Sequence, residues 1–270
     1  MKAIDYRIAP ASDVAAAVAM LAEDDFAQPI AGGQSLGAML NLRLAQPDCV
    51  VDLAPIASLC DTRIEGDQLV LGAMVTHAAI EDGRFTDVSH GMLAQVARGI
   101  AYRAVRNSGT VGGSLCHADP AADWIAAMAA LGARLDVSGP EGERQLAAAE
   151  FMRSAFETRL AEAEVLTAIR VPALSPAARW AYRKFCRKTG EFAQAIVAGL
   201  VDSERGIERL VLAALDGPPV VIERPGLVEA LATPATRQAL LDEPALALSG
   251  HRRVLHAALM AQAAHDLGAL

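Results

Sequence analysis

Apolar residues recur at helical spacing through residues 14–22, an alanine-rich run preceded by Ser12 and Asp13, and this predicts a helix with Ser12 as its N-cap. A short apolar strand at 28–31 runs into Gly32-Gly33-Gln34-Ser35, and the spacing resumes as a helix over 36–44, closed by Pro47. Residues 49–53 are β-branched and predict a strand, so the opening third reads as a compact βαβ-like unit. Further on, Gly66-Asp67 marks a turn before a strand at 68–71. Thr76 is placed to cap a helix over 77–82, and 92–101 reads as another. Residues 106–120 are rich in glycine and polar groups and predict a long functional loop. Asp119 as N-cap and Pro120 in the first turn then open a helix over 121–131. Strands follow near 134–137 and 165–171.

Two prolines within 172–176 predict a linker, and the pattern changes beyond it. Strands at 180–186, 195–201 and 208–215, with a turn at Glu204-Arg205-Gly206, precede helices at 227–232, 234–241 and 252–265. A meander followed by helices predicts a separate α+β domain. The resulting division is residues 1–173, in two lobes of about 1–56 and 57–173, and residues 177–270.

Composition narrows the function. The 270 residues are 53% hydrophobic but only 4% aromatic, so a large flat ligand has to be held mainly by backbone and aliphatic groups. The formal net charge is −8, and the densest basic run, Arg183, Lys184, Arg187 and Lys188, is too short to make a nucleic-acid face. No apolar signal core opens the sequence and no stretch has the length of a membrane span, which predicts a cytoplasmic protein. Cys49, Cys60, Cys116 and Cys186 form no CxxC pair, so zinc fingers and cysteine-ligated iron–sulfur clusters are not expected on this chain, and the thiols read as reduced.

Two segments carry candidate chemistry. In Ala31-Gly32-Gly33-Gln34-Ser35-Leu36 a strand meets paired glycines and a helix start, an arrangement whose successive N–H groups suit pyrophosphate. No lysine follows as a Walker A loop needs, and the GxGxxG spacing is absent. Gly33-Gln34-Ser35-Leu36-Gly37 does fit GxSxG, the nucleophile elbow of α/β-hydrolases, but only 34 residues precede Ser35, too few for the strands that come before an elbow. The second segment, Arg106 through Ser114, repeats the device with Thr110-Val111-Gly112-Gly113-Ser114. Two such loops can clamp a pyrophosphate from both sides. Asp123 lies one helical turn beyond Asp119 and is suited to sugar or ribityl hydroxyls; His117 with the two aspartates is a poor metal set, lacking further close donors.

The pair AGGQSL (31–36) and RNSGTVGGSLCHADPAADW (106–124) resembles the FAD-binding medium subunit of molybdenum hydroxylases, a family that includes the medium subunits of aerobic carbon monoxide dehydrogenase and quinoline oxidoreductase and the central domain of xanthine dehydrogenase. Residues 165–172 resemble the strand closing its FAD domain, 184–193 its basic segment, and 252–255 its terminal helix, so the likeness covers nearly the whole chain. The resemblance implies an FAD domain of the vanillyl-alcohol-oxidase (PCMH) type followed by a small α+β domain. It implies pyrophosphate on the N–H groups of Ala31, Gly32, Gly33, Gln34 and Ser35 and of Thr110, Val111, Gly112, Gly113 and Ser114, with Leu36 beside the first loop. FAD hydroxyls fall to Asp123, the isoalloxazine to Leu166, its polar edge to Lys184, and a place near the ring to Phe192. It also implies a small 2Fe–2S subunit and a large molybdopterin-bearing subunit, as a dimer of heterotrimers, passing electrons through FAD to an external acceptor. Departures are Gly37-Ala38, where many relatives carry proline, and Ser114, where many carry asparagine. Two other readings are a stand-alone FAD reductase or oxidase of the same domain type, and a scaffold protein without cofactor.

Overall fold

The computed structural model describes residues 2–269. Three short parallel strands, β1 (Arg7–Pro10), β2 (Ala27–Ile30) and β3 (Cys49–Asp52), form a sheet in the order β1-β3-β2. Helices α1 (Val14–Ala22) and α2 (Leu36–Leu42) make its crossovers, as parallel neighbours require. The expected βαβ unit is present, with β1 as a strand that the sequence reading did not find.

The second sheet is antiparallel in the order β4-β5-β10-β6-β7, from β4 (Thr62–Glu65), β5 (Gln68–Gly72), β6 (Arg134–Gly139), β7 (Gly142–Ala147) and β10 (Val165–Pro172). A separate two-stranded ribbon pairs β8 (Met152–Ser154) with β9 (Glu157–Thr158). Between β5 and β6 run the helices α3 (His77–Glu81), α4 (Met92–Arg98), α5 (Arg103–Ser108), α6 (Val111–His117) and α7 (Asp123–Leu131); α8 (Ala148–Phe151) follows β7. Helix α7 is buried along its whole length, which its alanines permit.

The third sheet is an antiparallel meander, β11 (Arg179–Phe185), β12 (Ala195–Asp202), β13 (Ile207–Ala213) and β14 (Val220–Glu223). It is followed by α9 (Leu227–Ala232), α10 (Pro234–Leu241) and α11 (Gly250–Asp266). Every residue of β12 is buried. Alternation explains this: Ile196 and Ala198 join the large core around Trp124 and Met128, while Ala195, Val197 and Val201 join a second core with Leu231, Met260 and Leu267. The meander is therefore a middle layer between α7 and the terminal helices.

Several expectations are corrected. The cap of α1 is Asp13, whose Oδ1 accepts from Ala16 N–H at 2.8 Å, while Ser12 only donates to Asp13. Helix α2 stops at Leu42 because Arg43 turns left-handed (φ 59°), and α4 stops at Arg98, before Gly99 and the left-handed Ala101. The predicted loop 106–120 contains α6 and the end of α5: Thr110 accepts from Gly113 N–H at 3.0 Å, so capping overrides two glycines. Asp119 caps only a turn, accepting from Ala121 N–H at 2.9 Å, and α7 begins at Asp123. Strands β4, β7, β8, β9 and β14 were also missed, being short and mostly exposed, with little apolar patterning to show them.

Candidate functional site

The two glycine segments meet. A methyl group on Gly32 would stand 1.8 Å from the Ser108 carbonyl oxygen and 2.9 Å from Gly109 Cα, so backbone touches backbone here. One on Gly113 would lie 3.3 Å from the Ala31 Cβ. One on Gly112 would strike the backbone of Ala73 at 2.6 Å. At Gly32, Gly112 and Gly113 neighbouring atoms already occupy the place of a side chain, so only glycine permits the close approach.

The two loops differ in what they offer. In the second, Val111 N–H donates to Val75 O at 3.0 Å, Gly112 N–H to Ala73 O at 2.9 Å, Gly113 N–H to Thr110 Oγ1 at 3.0 Å and Ser114 N–H to Thr110 O at 3.0 Å. These groups are engaged, which corrects the expectation that the loop at Thr110 to Ser114 presents free N–H donors. In the first, the N–H groups of Gly32, Gly33, Gln34 and Ser35 meet no acceptor among the described residues. Gly33 is left-handed (φ +68°), the turn that lets consecutive N–H groups converge on one anion. Leu36 then starts α2, and the Ser35 hydroxyl makes no cap. The first loop keeps its donors unpaired, and the second, with its donors engaged, packs against it.

Asp123, at the start of α7, is buried, and its Oδ1 accepts from Tyr182 Oη and Lys184 Nζ, both at 2.7 Å. Lys184 also donates to Gly99 O at 2.7 Å. Tyr182 and Lys184 lie two positions apart on β11, on one face of the strand. Desolvation, with the Asp123 charge beside it, drives the Tyr182 hydroxyl well above its ordinary pKa, so it remains a donor. Asp123 Oδ2 has no partner among the described residues. The sequence reading named Asp123 and Lys184 but not their meeting, and missed Tyr182; its signal was the alternation with Lys184.

Leu166 departs from its expected place: it is 3% exposed inside the large core, so its side chain has no open face for a ring. Phe192 lies exposed in the segment joining β11 to β12. Beside it, Ala193 and Gln194 help line a crevice of about 280 Å³ with Asp119, Pro120 and Arg252. His117 packs at a tilt of 55° against Phe156, ring centroids 5.3 Å apart, and among the described residues no three acidic, histidine or cysteine side chains gather as a metal set. Desolvation pushes the Cys116 thiol up to about 12, which leaves it unreactive.

A residue that the sequence reading took only as a helix start is central. His77, 5% exposed, accepts at Nδ1 from Trp124 Nε1–H at 3.0 Å, and Trp124 is fully buried. Burial, with the Arg106 charge second, lowers the His77 pKa to about 4. Arg106 itself pairs with Glu81 at 2.8 Å.

Among the described residues no helix is long and apolar enough to cross a membrane. Residues 4–174 match the family described as the FAD binding domain in molybdopterin dehydrogenase. The chain is 36% identical over 224 residues to caffeine dehydrogenase subunit beta of Pseudomonas sp. (strain CBB1), covering 81% of this chain and 75% of that protein. It is 37% identical over 195 residues to the carbon monoxide dehydrogenase medium chain of Afipia carboxidovorans, covering 72% and 67%. Among solved structures it superposes on a chain of carbon monoxide dehydrogenase from Hydrogenophaga pseudoflava with a TM-score of 0.88, 30% identity, and coverage of 100% of this chain and 99% of that one. For quinoline 2-oxidoreductase from Pseudomonas putida 86 the TM-score is 0.84 at 28% identity, with the same coverage.

Proposed function

The chain belongs to the FAD-binding medium subunits of the molybdenum hydroxylases, and from that premise we propose how its own residues hold FAD and pass electrons between partners. The observation that carries the reading is the junction of the two glycine loops, where consecutive N–H groups at Gly32 to Ser35 are unclaimed beside a second loop that Gly32 touches backbone to backbone. The fit is to a pyrophosphate: an anion with many acceptor oxygens, met by backbone donors that need no charged side chain.

FAD, when bound, supplies the redox chemistry; the chain binds and orients it. Gly32, Gly33, Gln34 and Ser35 donate to the pyrophosphate. Gly112 and Gly113 give the close approach, and Ser114 and Thr110 line it. Asp123, with Oδ1 committed to Tyr182 and Lys184, keeps Oδ2 for an FAD hydroxyl. Lys184 has a third N–H for the polar edge of the ring. Phe192, exposed between β11 and β12, would lie near the ring. None of these groups acts as an acid or base on the hydroxylated substrate.

The reading places FAD binding in residues 1–173, in two lobes, and the small α+β unit in 177–270. It supplies the cytoplasmic complex with a flavin station between a small 2Fe–2S subunit, beyond which lies a large molybdenum subunit, and an external acceptor, as a dimer of heterotrimers. The test is an absorption spectrum of the purified full chain, with chromatography of any flavin released on denaturation. Flavin bands, FAD in the supernatant and no iron or molybdenum support the reading. A colourless chain that fails to take up added FAD overturns it in favour of a scaffold, and turnover of a substrate by the chain alone overturns it in favour of a stand-alone flavoenzyme.

A further inference from the structure

The indole of Trp124 can only donate, so His77 Nδ1 must accept and the imidazole is neutral, with its proton on Nε2. A protonated ring would set N–H against N–H inside the core. This fixed ring stands behind the wall that the second glycine loop makes against the first. A methyl group on Gly109 would lie 3.0 Å from both Cδ2 and Nε2 of His77, so the imidazole is packed on the Gly109 backbone. The same residue is tied at its own backbone, where His77 N–H donates to Gly109 O at 2.9 Å and Thr76 bridges to Thr110. On its other side, the peptide of Ser108 and Gly109 is the surface that Gly32 touches. A continuous line of contact runs from Trp124 through His77 and Gly109 to Gly32.

We propose that His77, held by Trp124, is a positioning residue for FAD: the orientation of its ring sets how far the Ser108–Gly109 peptide stands toward Gly32, and hence the width between the two glycine loops. The proposal rests on the reading of that junction as the pyrophosphate site. Arg106, beside His77 on α5, is held by Glu81 of α3, and its charge also disfavours a proton on the imidazole. The neighbouring Thr76 hydroxyl is occupied in capping α3, accepting from Ala79 N–H at 3.2 Å. The imidazole is therefore the side chain that supports the wall from behind.

The experiment uses the full chain carrying Trp180→Phe, which leaves Trp124 as its sole tryptophan. FAD affinity by titration and Trp124 emission are measured for His77, His77→Asn and His77→Phe. Asn places Oδ1 where Nδ1 stands and keeps an acceptor for the indole; Phe keeps a ring and loses it. The proposal expects His77→Phe to weaken FAD binding by about tenfold or more and to shift Trp124 emission, the loss of one hydrogen bond being worth roughly that factor, while His77→Asn restores both to near the parent. Equal weakening by Asn and Phe, or parental affinity in Phe, overturns it, because ring volume or nothing at all would then be the cause. Should His77→Phe fail to fold, Trp124→Phe removes the same bond from the other side: weaker FAD binding supports the proposal, and unchanged affinity overturns it. If the parent chain takes up no FAD, it is the pyrophosphate reading that falls.

Discussion

Gly32→Ala should abolish FAD retention while leaving a folded protein. The added methyl would sit 1.8 Å from the Ser108 carbonyl oxygen, 2.6 Å from its carbon and 2.9 Å from Gly109 Cα. Ordinary contact needs about 3.5 Å, so the loops must part by roughly 1.7 Å. Both obstructing groups are backbone, so no side chain can rotate away. A shift of that size exceeds the tolerance of hydrogen bonds whose useful range is about 2.7–3.2 Å. Losing one or two bonds to a charged phosphate, at about 1.5–3 kcal/mol each, removes about 3 kcal/mol, or roughly a hundredfold in Kd. Overpacking itself costs the fold about 1–3 kcal/mol. Gly37→Ala is the matched control: nothing lies within 4 Å of a methyl there, and Gly37 is inside α2, where alanine should stabilise by about 0.5–1 kcal/mol. The assay is FAD titration by flavin fluorescence, with thermal unfolding of the same samples. A folded Gly32→Ala protein that binds FAD within threefold of the parent refutes the reasoning.

Two further outcomes follow from the charged and titratable groups. Because the His77 pKa falls to about 4 in the folded chain from an ordinary value near 6.5, the unfolded chain takes up the extra proton first. The contribution is therefore fully present above pH 6.5 and declines as pH falls toward 4. Between pH 6.5 and 5 the loss should be about 2 kcal/mol, visible in urea unfolding at stepped pH and flattened in His77→Asn. Asp123→Ala leaves the Lys184 ammonium and the Tyr182 hydroxyl without their shared acceptor and should destabilise by about 3 kcal/mol; thermal melts should show much of this recovered on adding Lys184→Met, and no recovery would refute the pairing as its source.

How much was legible in the sequence depended on whether the signal was local. The glycine loops, β2 into α2, and the meander at 195–213 stood out because turn chemistry and strand alternation lie within a few residues of each other. Caps were less secure, since Ser12 and Asp13 both suit the position and only the backbone at Asp13 decides between them. The division of labour between the loops was not legible. The acceptors that occupy Val111 and Gly112 N–H come from Val75 and Ala73, a separate segment with no motif of its own. The same is true of His77 with Trp124, and of Asp123 with Tyr182 and Lys184: each residue is ordinary alone, and the chemistry appears only when the chain returns.

The carboxylate of Asp123 belongs to α7, and the two groups that grip it belong to β11, which the chain reaches only after β10. The buried meander lies against the same helix. Neither unit can therefore be exchanged between relatives as a cassette unless the incoming piece brings a hydroxyl and an ammonium in the same register, or a matching acid. Recombination between β10 and β11 would strand a charge in the lineage that received the wrong half. Substitutions at 123, 182 and 184 are therefore expected to be accepted together or not at all.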